Sequence, residues 1–164
     1  MRKAARDPIS AAAGPAFEGF GISQGGPAGT GAIVGVRIGE DLECSVLGGG
    51  DPHWIAGSGL VSLLAALVRT GHLTRDGLLE RAGPLSRRFD VDAQGVGRIS
   101  LGSDARGPYV SQLDIRSFQT AKAAVAAGLL AVSAQAGLRS KHVERVIVTG
   151  AFGASLDMDD LVML

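Results

Sequence analysis

The spacing of apolar positions changes several times along this chain, and each change marks an element. In residues 32–48, AIVGVRIGEDLECSVLG, two β-prone runs flank Gly39, Glu40 and Asp41, which predicts a hairpin. GGGDPHWIAGSG breaks that pattern. Gly59 then opens LVSLLAALVRTGHL, where Leu60, Leu63, Leu64 and Leu67 form one helical stripe ending near Gly71. Residues 74–108 are polar and glycine-containing, with a short strand candidate at 98–101, and read as a surface excursion. The longest helix is predicted over 113–137: Asp114 serves as N-cap, Ile115, Phe118, Val125, Leu129 and Val132 recur at helical spacing, and Gly137 stops it. Residues 123–138 carry no charge but fall short of the ~20 residues a membrane span needs, so this half of the helix is expected to be buried. VERVIVTG is too apolar for a wet face, so 143–149 is expected to be a strand inside a sheet, covered on both sides. Asp157 is the expected cap of a final helix.

Strand, glycine turn and helix in that order predict α/β architecture, with ligands beyond the carboxyl ends of the strands. Gly150 and Gly153 remove side chains where a ligand could approach the backbone, and the next helix aims its N–H groups at the same place. A strand-to-helix turn also needs glycines for steric reasons alone. Neither GxxxxGK[ST] nor GxGxxG occurs; GPAGTG at 26–31 precedes a strand and reads as a turn.

Composition narrows the classes. With 46% hydrophobic and 20% charged residues, 164 residues suffice for one globular domain with its own core. Sixteen basic and sixteen acidic residues cancel, which argues against nucleic-acid or membrane partners, and the pair Arg87 and Arg88 reads as a solvated face. A single cysteine, Cys44, excludes an internal disulfide and suits a reducing, cytoplasmic setting. His53, His72 and His142 lack metal-ligand spacing, so no metal site is expected. MRKAARDP is basic, but no apolar run follows it, so it does not read as a signal peptide.

Four segments in order carry a resemblance: SAAAGPAFEGFGISQGG at 10–26, GSGLVSLLAALVRTG at 57–71, LDIRSFQTAKAAVAAGL at 113–129 and VIVTGAFGASLD at 146–157. Together they resemble the carboxy-terminal ASKHA domain of the RACo-like ATP-dependent reductive activators of corrinoid proteins. The resemblance implies a mixed sheet with helices, forming part of a lobe that closes on ATP against a second lobe. It divides the chain into an irregular start, 1–9, and a partial ASKHA domain, 10–164, truncated at both ends with 74–108 as its excursion.

By the same resemblance, Gly150, Ala151, Phe152 and Gly153 form the adenosine motif. Gln119 and Lys122, one helical turn apart, face the nucleoside. Gly14 opens a helix bordering the cleft, and Glu18 caps or orients that helix. No catalytic residue is assigned. The family's two D-x-G-T-like loops for phosphate and magnesium have no counterpart in these residues, nor do the cysteine ligands of its iron–sulfur cluster. Where family members read Gly-Ile-Cys-Gly-Ser-Gly, this chain has Trp54-Ile55-Ala56-Gly57-Ser58-Gly59.

The implied function is the nucleoside side of an ATP-dependent activator whose partner is a corrinoid protein. A non-catalytic fragment or interaction module, or another ASKHA-type ATPase or kinase-like protein, stand as alternatives. Apolar surface left uncovered by the absent upstream strands implies self-association.

Overall fold

A computed structural model describes residues 10–11, 14–103, 107–139 and 142–164, so the predicted irregular start at 1–9 lies outside it. The hairpin forms as the pattern predicts: β1 (Ala32–Ile38) pairs antiparallel with β2 (Leu42–Val46), with a register shift between Ile33 and Gly35. A two-residue strand, β3 (Trp54–Ile55), adds in parallel on the other side of β1. Helix α2 (Gly57–Arg69) follows α1 (Gly14–Phe17) in chain order and packs along β1. It starts two residues before Gly59 and ends before Gly71, whose φ of +74° lets the chain turn away. Leu60, Leu63, Leu64 and Leu67 are fully buried with Ile33 and Ile55, and this cluster is the centre of the core.

Because β3 is so short, it leaves the backbone of Val36 without a strand neighbour on that side. Ser62 of α2 fills the gap: its hydroxyl accepts from the Val36 N–H and donates to the Val36 carbonyl, each at 3.1 Å. A buried backbone group must find a partner somewhere.

The excursion is less polar than its sequence suggests. Strands β4 (Phe89–Val91), β5 (Gly97–Ser100) and β6 (Tyr109–Ser111) form a second antiparallel sheet, entered through a 3₁₀ turn at Pro84–Arg88. Leu85, Phe89, Ile99, Leu101 and Val110 join the main core from it. Polar positions outnumber apolar ones there because each short strand buries only one or two side chains.

Arg88 is not on a solvated face. Its guanidinium forks onto the Asp41 carboxylate of the β1–β2 turn at 2.6 and 2.8 Å and also donates to the Gly102 carbonyl at 3.0 Å. This clamp holds the two sheets together. A planar fork matched to a carboxylate is the strongest form of such a pair, and it holds the Asp41 carboxyl well below its ordinary range.

Helix α3 (Gln112–Gln135) is the longest, as predicted, and Gly137 (φ +63°) follows its end. Its cap differs: Ser111 is the N-cap, and Asp114, three residues on, completes a capping box. The box was legible as S-x-x-D, but Asp114 is itself a frequent cap residue and drew the assignment. The expectation of a buried second half is overturned, because Leu129 and Leu130 are 59% and 71% exposed. The expected strand at 143–149 is likewise absent: the segment has no strand pairing, and Val146 and Ile147 are 70% and 72% exposed. Both errors share a cause. Apolar composition reports what a segment could bury, and the described elements cover only part of these two. Helices α4 (Gly150–Ala154) and α5 (Met158–Met163) close the chain, α5 capped as expected by Asp157, which accepts from the Asp159 N–H at 2.8 Å.

Lowered carboxyl affinity for protons at Asp41 means that its clamp contributes fully above the ordinary carboxylate range, and that this contribution is lost progressively as pH falls below that range toward the depressed titration. The thermal midpoint should therefore drop between about pH 5 and 2. Arg88→Ala should cost about 2 kcal/mol at pH 7, a figure kept low by solvent around Asp41, and should flatten that acid slope in melts followed by circular dichroism.

Candidate functional site

The two glycines of TGAFG have different reasons to be glycine. Gly150 sits at φ +90° at the start of α4, and a Cβ built there would meet nothing within 4 Å: its backbone is left-handed and faces open space. At Gly153 a Cβ would press on Val148 Cγ1 at 2.8 Å, so that position is set by packing. Ala151 is exposed, while Phe152 is half-buried and turns inward.

Phe152 leads to a convergence that the sequence does not announce. Its ring lies 5.8 Å from that of Phe17 in α1, and Phe17 meets Phe118 of α3 edge-on at 5.4 Å. Gly57 lies beneath them, where a Cβ would overlap the Phe17 carbonyl oxygen and come within 3.0 Å of the Phe152 ring. Two residues on, a Cβ at Gly59 would overlap the Ile33 carbonyl. The glycines of GSG thus let α2 enter between α1, α4 and β1. GPAFEG, GSG, the start of α3 and TGAFG, far apart in sequence, meet around three phenylalanines.

An apolar groove of about 440 Å³ opens beside this cluster, lined by Phe17, Phe118, Val125, Leu129, Val148 and Phe152, with Lys122 at its wall. Lys122 also lines a second cavity of about 400 Å³, shared with Gln119, Thr74 and Gly77. The structure therefore brings Lys122 to Phe152 and to Gln119, but Gln119 does not reach the groove at Phe152. Both polar groups are engaged. Gln119 donates to the Asp76 carbonyl at 3.2 Å and accepts from Arg116 at 2.7 Å, and Lys122 donates to the backbone oxygen of Leu164. Gly14 opens α1, and Glu18 is exposed just beyond it, without a hydrogen bond to another described residue.

A larger, polar cleft of about 690 Å³ runs between β1, α2 and α5. Ser58, Ser62, Asp157 and Asp159 line it, and Arg69 spans it to Asp160 at 2.6 Å. Nothing in the sequence pattern singled out this pair, which lies 91 residues apart and ties α5 to α2. Among the described residues no group of three or more histidine, cysteine or acidic side chains could hold a metal ion. Cys44 does not suit iron–sulfur ligation, which needs a thiolate. Burial pushes its thiol up to about 11, and the Sγ donates to the Leu101 carbonyl at 3.6 Å.

Residues 8–164 match the family described as the C-terminal domain of RACo, the ASKHA domain. The chain belongs to this family. It is 33% identical over 161 residues to the corrinoid activation enzyme RamQ of Eubacterium limosum, an alignment covering 91% of this chain and 27% of RamQ. It also superposes on a solved reductive activator for corrinoid, iron-sulfur protein with a TM-score of 0.81 at 34% identity, covering 94% of this chain and 26% of that one. The fold is accordingly a mixed α/β ASKHA domain, and the chain spans about a quarter of the length of these relatives. Among the described residues no helix is long and apolar enough to cross a membrane.

Gly57→Ala should force α1 away from α2 and cost about 2–3 kcal/mol, read as a lowered urea midpoint. Near-ultraviolet circular dichroism should change with it, because Phe17 and Phe152 lose their common support.

Proposed function

We propose that this chain contributes part of one lobe of an ATP-dependent reductive activator of corrinoid proteins, with residues 150–153 lying along the nucleoside of ATP. The observation that carries this reading is the open, left-handed backbone at Gly150, which lies in sequence between Val148 and Phe152 of the aromatic groove's wall. A flat heterocycle can approach a backbone that bears no side chain, and a Cβ would fill that space.

Bound ATP would favour one lobe arrangement over another and so make possible the uphill transfer of one electron, supplied by the family's iron–sulfur module, to the partner's cobalt(II) corrinoid, giving cobalt(I). This chain's part is to hold and orient. The N–H groups at the start of α4 are free of side-chain caps, Thr149 making none, and so can face a polar ligand. Lys122 can exchange its contact with the Leu164 carbonyl for a ribose hydroxyl at the groove wall. The D-x-G-T loops that would grip phosphates and magnesium have no counterpart in this sequence, and Cys44 cannot substitute for a cluster ligand set.

Titration calorimetry of the chain with adenosine, ADP and ATP tests the reading. The three should bind weakly, with ATP within about tenfold of adenosine, since positioning of phosphates is where phosphoryl-transfer proteins put their contacts. Gly150→Val should weaken all three by about tenfold or more, a loss of ~1.4 kcal/mol, whereas Glu43→Gln on the exposed side of β2 should change nothing. A melt of each variant separates backbone strain from lost contact. Magnesium-dependent ATP hydrolysis by the chain alone, or tight ATP binding indifferent to Gly150→Val, would overturn the assignment.

A further inference from the structure

Another polar cleft, of about 660 Å³, lies where the β1–β2 turn meets the excursion, and arginine dominates it. Arg81, Arg87 and Arg88 line it against two carboxylates, those of Asp41 and Asp90. Both carboxylates are already matched. Asp41 accepts from Arg88 through both oxygens, and its Oδ2 accepts from Arg87 at 2.7 Å as well. Asp90 accepts from Arg98 at 2.7 Å and from the Val91 N–H at 2.8 Å. One negative charge is thus shared by Arg87 and Arg88 and the other is taken by Arg98, which leaves Arg81 with no acidic partner among the described residues. In a chain whose basic and acidic residues cancel, this surplus of positive charge is local. Arg81 is also held in place. Gly83, at φ +58°, reverses the chain ahead of the 3₁₀ turn, and the Arg81 Nε donates to the Ser86 carbonyl at 3.1 Å. Its two terminal nitrogens pair with no other described residue, nor do the Nε and second terminal nitrogen of Arg87. Ser100 and Ser103 line the same cleft, with hydroxyls that pair with no other described residue.

We infer that this cleft binds a phosphate group, held by Arg81 and Arg87. Guanidinium forks match the oxygens of phosphate in pairs, and they give up their hydration more readily than an ammonium does. A tetrahedral phosphate brings enough oxygens to meet both forks and a serine hydroxyl together, and its charge offsets the surplus. A planar carboxylate, with two oxygens, satisfies one fork only. Asp41 and Asp90 do not keep the ligand out, because each already carries an arginine. Arg88 serves a different purpose: its side chain is 15% exposed and bound to Asp41 and the Gly102 carbonyl, so it fixes the wall on which the other two stand. The cleft shares no lining residue with the aromatic groove, so this inference does not rest on the nucleoside reading.

Titration of inorganic phosphate into the ¹⁵N-labelled chain, followed through the arginine side-chain N–H resonances, tests it. At low ionic strength the Arg81 and Arg87 signals should shift saturably, with a dissociation constant on the order of a millimolar. Acetate should bind at least about tenfold more weakly, and adenosine should leave both signals unmoved. Glycerol phosphate, run alongside, distinguishes the sources: tighter binding than inorganic phosphate assigns the cleft to a phosphate ester, weaker binding to the free ion. Arg81→Gln and Arg87→Gln should each weaken phosphate about tenfold, whereas Arg145→Gln, the same loss of charge at an exposed position outside the cleft, should not. A thermal melt of each variant checks the fold. Should Arg87→Gln loosen the Asp41 clamp, Arg81→Gln, which touches no carboxylate, decides alone. Shifts that never saturate overturn the inference, as does acetate binding as tightly as phosphate, or an equal loss from Arg145→Gln, which would reduce the effect to overall charge.

Discussion

A single buried carboxylate holds the candidate site in register. Asp114 is 2% exposed, and its oxygens accept four hydrogen bonds: Oδ1 from the N–H and hydroxyl of Ser23 at 2.7 and 2.9 Å, Oδ2 from the N–H and hydroxyl of Ser111 at 2.8 and 2.7 Å. Withdrawing a carboxylate from water is tolerable only when its lone pairs are met, and here each oxygen has two donors. Ser23 lies 91 residues before Asp114, so this interaction fixes the loop after α1 to the first turn of α3. The placement of Phe17 against Phe118 follows from it. With Phe17 set, the Gly57 end of α2 and Phe152 of α4 have a surface to meet.

Much of this was legible in the chain. The hairpin, α2, the length of α3 and the Asp157 cap all follow from periodicity and punctuation, because each is decided by residues within a few positions of one another. The convergence of the four distant segments, three of them glycine-bearing, is not announced by any local pattern. The local pattern marks Gly57 only as part of a break before a helix, but its reason is the carbonyl of Phe17, forty residues away in sequence. Arg88 misled for the same reason. An arginine pair in a polar stretch looks solvated until the Asp41 turn is brought beneath it. The segments where the pattern overreached, 123–138 and 143–149, are those whose burial depends on a neighbour that no local signal specifies.

The arrangement also separates two kinds of glycine that one motif brings together. Gly153 and Gly57 are required by atoms the chain supplies, Val148 and Phe17, and would be needed if no ligand ever bound. Gly150 alone in that turn keeps a conformation and a space that the described residues do not use. Cluster ligation, by contrast, finds no foothold at Cys44: this single thiol is half-buried, protonated and committed to the Leu101 carbonyl. What the domain offers its family is a shaped surface.

Ser62 has a mechanical consequence. Its hydroxyl fastens α2 to β1 at Val36, and the Gly59 contact with the Ile33 carbonyl seats the same helix one turn earlier. Sliding α2 along the strand would break both at once. Helix and hairpin are thus geared as one slab. A displacement reaching either element is therefore carried by both, and passes on to α3 and α5 through the core side chains Ile115, Phe118 and Leu161 that pack against this slab.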